Sequence, residues 1–252
     1  MVLKLIIKDM SGHSKWHNIQ GRKGKQDAAR SNSFTKFAKA ITIAAQKGGD
    51  PNANFALRLA VDKAKVGGMP KDNIDRAIKR GTGELKEGSV MEELIYEAFG
   101  PGGIGVLIKV VTDNKNRTLP ELKKILSLYG GSIANAGSVQ WMFEQLGIIL
   151  INNEQLTTNK INQDEFEIQM IEEGGEDIIE QENQIVIKTK VENFQKILNK
   201  VKELNLEVVS SGIEWVAKDL VEVPIENQET LEKLLSALEE HDDVEEYFTN
   251  AK

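Results

Sequence analysis

From Phe34 to Ala45 the apolar positions Phe34, Phe37, Ala38, Ile41, Ala44 and Ala45 return at three- and four-residue steps. That is the repeat of a helix burying one face. Gly48–Gly49 and then Asp50–Pro51 stop it. Phe55, Ala56, Leu59, Ala60 and Val61 mark a second helix, which ends at Gly67–Gly68. Pro70 opens a third, with Ile74, Ala77 and Ile78 on its apolar side and Gly81 at its end. In that helix Asp72 and Asp75 come early and Lys79 and Arg80 late, as the helix dipole prefers. Asp72 and Arg76, and Asp75 and Lys79, also stand at pairing distance along it. Residues 24–80 therefore read as a small helical domain.

The stretch GTGELKEGS (81–89) reads as a linker, and the pattern changes beyond it. Residues 93–99 and 104–112 are predicted strands joined by Gly100–Gly103, followed by a helix over Leu119–Tyr129. Residues 139–143 and 148–151 suggest a hairpin. Next come a helix (164–173), strands near 177–180 and 184–189, a helix (191–204) and a strand (206–216). The tail adds a strand (220–224), a helix (228–240) and a strand near 244–248. From residue 139 onward the order is β-α-β-β-α-β, that of a ferredoxin-like unit. The fold class expected is α+β.

Charge changes the picture. The 252-residue chain is acidic, with a formal net charge of −7, yet the charge is unevenly placed. Residues 1–82 hold 17 Lys or Arg against 6 Asp or Glu, and residues 83–252 hold 15 against 33. Between Ser11 and Ile41 the cations Lys15, Arg22, Lys23, Lys25, Arg30, Lys36 and Lys39 face a single acid, Asp27. Such a run binds phosphates with little regard to sequence. Trp16 lies inside it and could stack on an unpaired base. The alternative is a solvated helix face with Trp16 as a core plug.

Other chemistry is thinly represented. Cys is absent, which excludes disulfides and thiolate nucleophiles and suits a reducing cytoplasm. No apolar run is long enough to span a membrane. Gly100, Gly102 and Gly105 spell G-x-G-x-x-G, but the β-branched run after them reads as a strand where a dinucleotide site needs a helix. His13 and His17 stand four apart without a third ligand, and His241 sits in an acidic tail. No nucleophile-elbow motif occurs. An enzyme, a metal site, a cofactor and a small-molecule substrate are all disfavoured. MVLKLIIKD (1–9) precedes a second Met and reads as an extension.

The segments SGHSKWHNI (11–19), QDAARSNSFTKFAKAI (26–41), GGDPNANFALRLAVDKAK (48–65), MPKDNIDRAIKRGTGE (69–84), YEAFGPGG (96–103), TDNKNRT (112–118) and GSVQWMFEQLG (137–147) together resemble the YebC family. That family holds proteins classed as transcriptional regulators and a mitochondrial translational activator. The resemblance implies three domains: an N-terminal helical bundle (10–82), an α+β domain (83–136 and 207–252) and a ferredoxin-like domain inserted at 137–206. It implies a cytoplasmic, non-enzymatic regulator that binds nucleic acid, conventionally promoter DNA. The alternative is a translation factor on the ribosome, contacting ribosomal RNA. Positions implied to touch phosphate are Lys15, Arg22, Lys23, Lys25, Arg30, Lys36, Lys71, Arg76, Lys79 and Arg80.

Overall fold

Three helices open the computed structural model, which describes residues 26–85, 90–181 and 183–252. They are α1 (Gln26–Ala45), α2 (Phe55–Val66) and α3 (Lys71–Gly81). Asn54 caps α2 by accepting the Leu57 N–H at 3.1 Å, and its amide donates to the carbonyls of Ala44 and Gly48, both at 2.7 Å. One side chain thus starts α2 and ties down the end of α1. Ile41, Ala45, Leu57, Val61, Ala64, Ile74 and Ala77 form the buried centre of this bundle. Gly81 serves closeness of packing. A Cβ there would lie 2.3 Å from the Thr42 carbonyl oxygen, so no other residue lets α3 approach α1 this tightly.

The first sheet has the order β3-β1-β2-β8. Its strands are β1 (Glu92–Phe99), β2 (Gly105–Thr112), β3 (Ser132–Ile133) and β8 (Val244–Thr249). β1 and β2 pair antiparallel across a short 3₁₀ turn, Pro101–Gly103, where Gly102 and Gly103 take φ of +74° and +77°. The glycine triplet is therefore a hairpin turn, as the following strand residues imply. β2 is apolar on both faces because both are covered. On one face Val106, Ile108 and Val110 meet Leu122 and Leu126 of α4 (Lys115–Leu128), with Leu231, Leu234, Leu235 and Leu238 of α8 (Ile225–Glu240). α1 touches β2 and β8.

Two expectations here need correction. The helix expected from Leu119 begins at Lys115, because Asn114 accepts the Arg117 N–H at 3.2 Å and caps it; Pro120 lies inside the helix. The strand expected at 220–224 is reduced to a single bridge between Val221 and Ala251.

The loop leaving this sheet is held by Glu97. Its buried carboxylate accepts backbone N–H groups from Gly137 (2.5 Å), Val139 (2.6 Å) and Gln140 (2.8 Å). Burial pushes this carboxyl's pKa up, but the backbone donors of Gly137, Val139, Gln140 and Ser138 outweigh that and hold it below its ordinary value. Two of the family-like segments, YEAFGPGG and GSVQWMFEQLG, meet at this clamp.

The chain divides into two compact units. One takes in the described residues up to Phe143 with Ala217–Lys252, and the other is Glu144–Val216. The helical bundle and the first sheet thus belong to one unit. The second carries β4 (Phe143–Asn152), α5 (Glu154–Thr158), α6 (Gln163–Glu172), β5 (Gly175–Gln181), β6 (Gln184–Lys190), α7 (Phe194–Glu203) and β7 (Val208–Ala217). Its sheet order, β5-β6-β4-β7, is ferredoxin-like. The hairpin expected over 139–151 is one continuous strand, β4, preceded by a 3₁₀ turn at Gln140–Met142. Gly147, which falls between the two strands of that expected hairpin, sits in mid-strand, where a Cβ would lie 2.4 Å from the Phe194 ring. The boundary expected at 207 would cut off β7, which the sheet order places in the inserted unit.

Candidate nucleic-acid interface

The sequence of α3 sorts its residues by side. Ile74 and Ala77 are buried against the bundle, while Arg76, Lys79 and Arg80, spaced i, i+3 and i+4, share the opposite, solvent-facing side. Lys71 is exposed one to two turns away at the helix start, roughly 13 Å along the axis from Arg80. The pairs expected between Asp72 and Arg76 and between Asp75 and Lys79 do not form: among the described residues the ion pairs include none of Lys71, Arg76, Lys79 or Arg80. Three cations therefore stand together on an exposed face with no ion-pair partner among the described residues. Their charge at the C-terminal end of α3 complements the helix dipole.

The cations of α1 are placed differently. The Lys36 ammonium donates to the Glu239 carbonyl, and Lys39 donates to the Asp242 carbonyl at 2.8 Å and to Asp243 Oδ1 at 2.6 Å. On α2, Lys63 pairs with Glu246 at 2.7 Å. These lysines fasten the bundle to the end of α8, the turn after it and β8. Lys36, expected on the phosphate-binding surface, is thus held at this junction.

Asp243 is the centre of the junction. It is 2% exposed, and its Oδ2 receives Thr118 Oγ1 at 2.7 Å, Arg117 Nη2 at 2.8 Å and Thr112 Oγ1 at 3.2 Å. Burial would raise this carboxyl, but the Lys39, Thr118 and Arg117 donors hold it well below the ordinary carboxylate range. The neighbouring His241 accepts the Asp243 N–H on Nδ1 at 3.1 Å and sets Nε2 3.2 Å from Glu121 Oε2. The TDNKNRT segment therefore supplies three of the donors, Thr112, Arg117 and Thr118, that satisfy the buried Asp243 carboxylate. Sequence reasoning gives no signal for Asp243, one of 39 acids.

Lys15, Trp16, Arg22, Lys23 and Lys25 lie outside the described residues, as does the His13–His17 pair. Arg30 falls within α1, and its side chain is likewise outside them. Of the eleven expected contact residues, the structure thus brings together Arg76, Lys79 and Arg80, sets Lys71 apart on the same helix and holds Lys36 at the junction. Among the described residues, no group of three or more His, Cys, Asp or Glu could hold a metal, and no helix is long and apolar enough to cross a membrane.

Comparison with known proteins is consistent over the whole chain. A protein called a probable transcriptional regulatory protein from Maridesulfovibrio salexigens is 44% identical over 242 residues, covering 96% of this chain and 95% of the relative. One of the same description from Petrotoga mobilis is 48% identical, covering 96% and 94%. The crystal structure of a conserved hypothetical protein from Aquifex aeolicus matches with a TM-score of 0.83 at 35% identity, over 95% of this chain and 97% of that one. The family profile described as the TACO1/YebC protein N-terminal domain matches residues 14–84, and that described as the TACO1/YebC second and third domain matches residues 91–251. With both profiles and full-length relatives in agreement, the chain belongs to the TACO1/YebC family.

Proposed function

We propose that this protein is a non-enzymatic regulator of transcription that grips the phosphates of duplex DNA with its N-terminal helical bundle. The observation that carries the reading is the outward side of α3, where Arg76, Lys79 and Arg80 stand exposed with no ionic partner among the described residues, while Lys36 and Lys39 of α1 are occupied at a junction. A cation left unpaired on a rigid helix is available to displace counterions from a phosphate. Lys71 on the same helix extends this surface, and Lys15, Arg22, Lys23, Lys25 and Arg30 add the charge of the preceding segment. The names of the full-length relatives support a role in transcription. Contacts of this kind fix position on the backbone more than they read bases, so affinity should vary little with sequence. The reading needs no cofactor, and the protein would act in the cytoplasm.

The test is a titration of the full chain against several duplexes at stepped salt. About five neutralised phosphates would give a slope of log K on log[salt] near −4 to −5. Reversing Arg22, Lys23 and Lys25 together to Glu should weaken every duplex about equally. Undiminished binding by that variant overturns the role of the cationic segment. Ribosomes belong in the same series, because ribosomal RNA offers the same phosphates. Tighter binding to ribosomes than to duplex at matched salt moves the reading from transcription to translation.

A further inference from the structure

Among the described residues, Trp141 is the one aromatic among the large apolar side chains left exposed, at 64%. Its ring contributes little to any core, yet the backbone that carries it is fixed from several directions. Glu97 pins Gly137, Val139 and Gln140 from beneath. The Met142 N–H closes on the Val139 carbonyl at 2.9 Å, and the Met142 carbonyl accepts the Lys218 N–H at 2.9 Å. The Lys218 ammonium reaches the Trp141 carbonyl at 3.0 Å. The indole N–H donates to Ser138 O at 2.9 Å, which sets the ring's position over its own turn.

An exposed aromatic on a fixed backbone loses little freedom when something binds to it. Its chemistry narrows what that could be. With the ring N–H occupied, the indole offers a partner only its flat faces. The described residues near it on the loop, Asn135, Ala136, Gly137 and Gln140, are exposed and small or polar, unlike the apolar rim that seals a protein hot spot. The cation brought to the loop is the exposed Lys218, whose ammonium lies at the Trp141 carbonyl. A flat apolar face beside a cation fits a nucleobase with its phosphate. The base must be unpaired, since pairing and stacking hide base faces inside a duplex.

We propose that Trp141 is a stacking platform for an unpaired base of a nucleic-acid strand, with Lys218 taking the adjoining phosphate and Glu97 positioning the loop. The proposal rests on the nucleic-acid reading above and adds a second, strand-specific contact outside the cationic bundle.

The test uses the full chain, a single-stranded oligonucleotide and a duplex of equal length, both end-labelled, at one salt concentration. The readout is the ratio of single-strand to duplex affinity. Trp141→Ala should lower that ratio about 5- to 100-fold, the range expected for one lost stack. Trp141→Phe keeps a ring face but loses the bond to Ser138, and should retain most of the ratio. An unchanged ratio in Trp141→Ala overturns the platform. So does Trp141→Phe falling as far as Trp141→Ala, because the ring would then only close the turn. In both outcomes duplex binding by the wild type leaves the reading of the bundle standing. A wild type that binds neither probe removes both.

Discussion

Asp243 shows how much one side chain can settle. It collects an ammonium, a guanidinium and two hydroxyls from α1, β2 and α4, and it is nearly inaccessible to water. Removing its charge leaves the largely buried Lys39 ammonium without its anion, while Arg117, with its side chain 48% exposed, can turn to water. Asp243→Asn should therefore cost about 2–4 kcal/mol in denaturant unfolding. Lys63→Ala should cost less than about 1 kcal/mol, since the Lys63 side chain is 56% exposed and screened. Equal losses in the two variants would mean that burial does not govern the junction. The same carboxylate sets a pH dependence. Asp243 and Glu97 both titrate below their unfolded values in the folded chain. Their contribution is complete above the unfolded range, near pH 4, and is lost as pH falls through the depressed folded values. Stability should fall on acidification below about pH 5, and Asp243→Asn should flatten that limb of the curve. A variant that follows the wild-type acid limb would contradict the assignment. Neither residue announces itself in the sequence. Asp243's partners Lys39 and Arg117 lie 204 and 126 positions away, and nothing local marks one carboxylate among so many.

At the scale of the element, hydrophobic periodicity identifies α1 to α3, the β1–β2 hairpin and the two longer helices of the inserted unit, α6 and α7, but not the five-residue α5. It fails where a local residue has a tertiary purpose. Gly147 falls between two expected strands but is the mid-strand gap that admits Phe194 against β4. The helix expected from Leu119 starts earlier, at the Asn114 cap, with Pro120 inside it. The chain at Val221 pairs only once, so an apolar alternation does not become a strand. Gly81 ends α3 as the sequence implies, and it is also the contact point between α3 and α1, which the sequence does not signal. Gly81→Ala should lower stability by about 1–3 kcal/mol, since its Cβ would press on the Thr42 backbone. Because the misplaced helix is the one presenting Arg76, Lys79 and Arg80, the variant should also weaken duplex binding in a filter or anisotropy titration. Wild-type stability would show that the two helices have room to separate.

Across the whole molecule the cationic residues divide into two groups. Lys36, Lys39 and Lys63 meet the acidic C-terminal segment and hold the bundle to the first sheet, whereas the outward cations of α3 meet solvent. The sequence shows the charge asymmetry but not this division, which depends on where the chain returns after more than two hundred residues. Candidate contacts on α3 come from the family resemblance, since spacing alone pairs Arg76 and Lys79 with Asp72 and Asp75; the junction role of Lys36 has no signal in the sequence. The central claim is that the α3 cations neutralise phosphates, and the salt dependence of duplex affinity tests it most directly. The comparison is between wild type and a variant with Arg76, Lys79 and Arg80 changed to Gln. Each lost phosphate contact should reduce the slope of log K on log[salt] by about 0.9, so the variant should be shallower by about 2.7. An unchanged slope would show that these side chains do not touch the backbone of the nucleic acid.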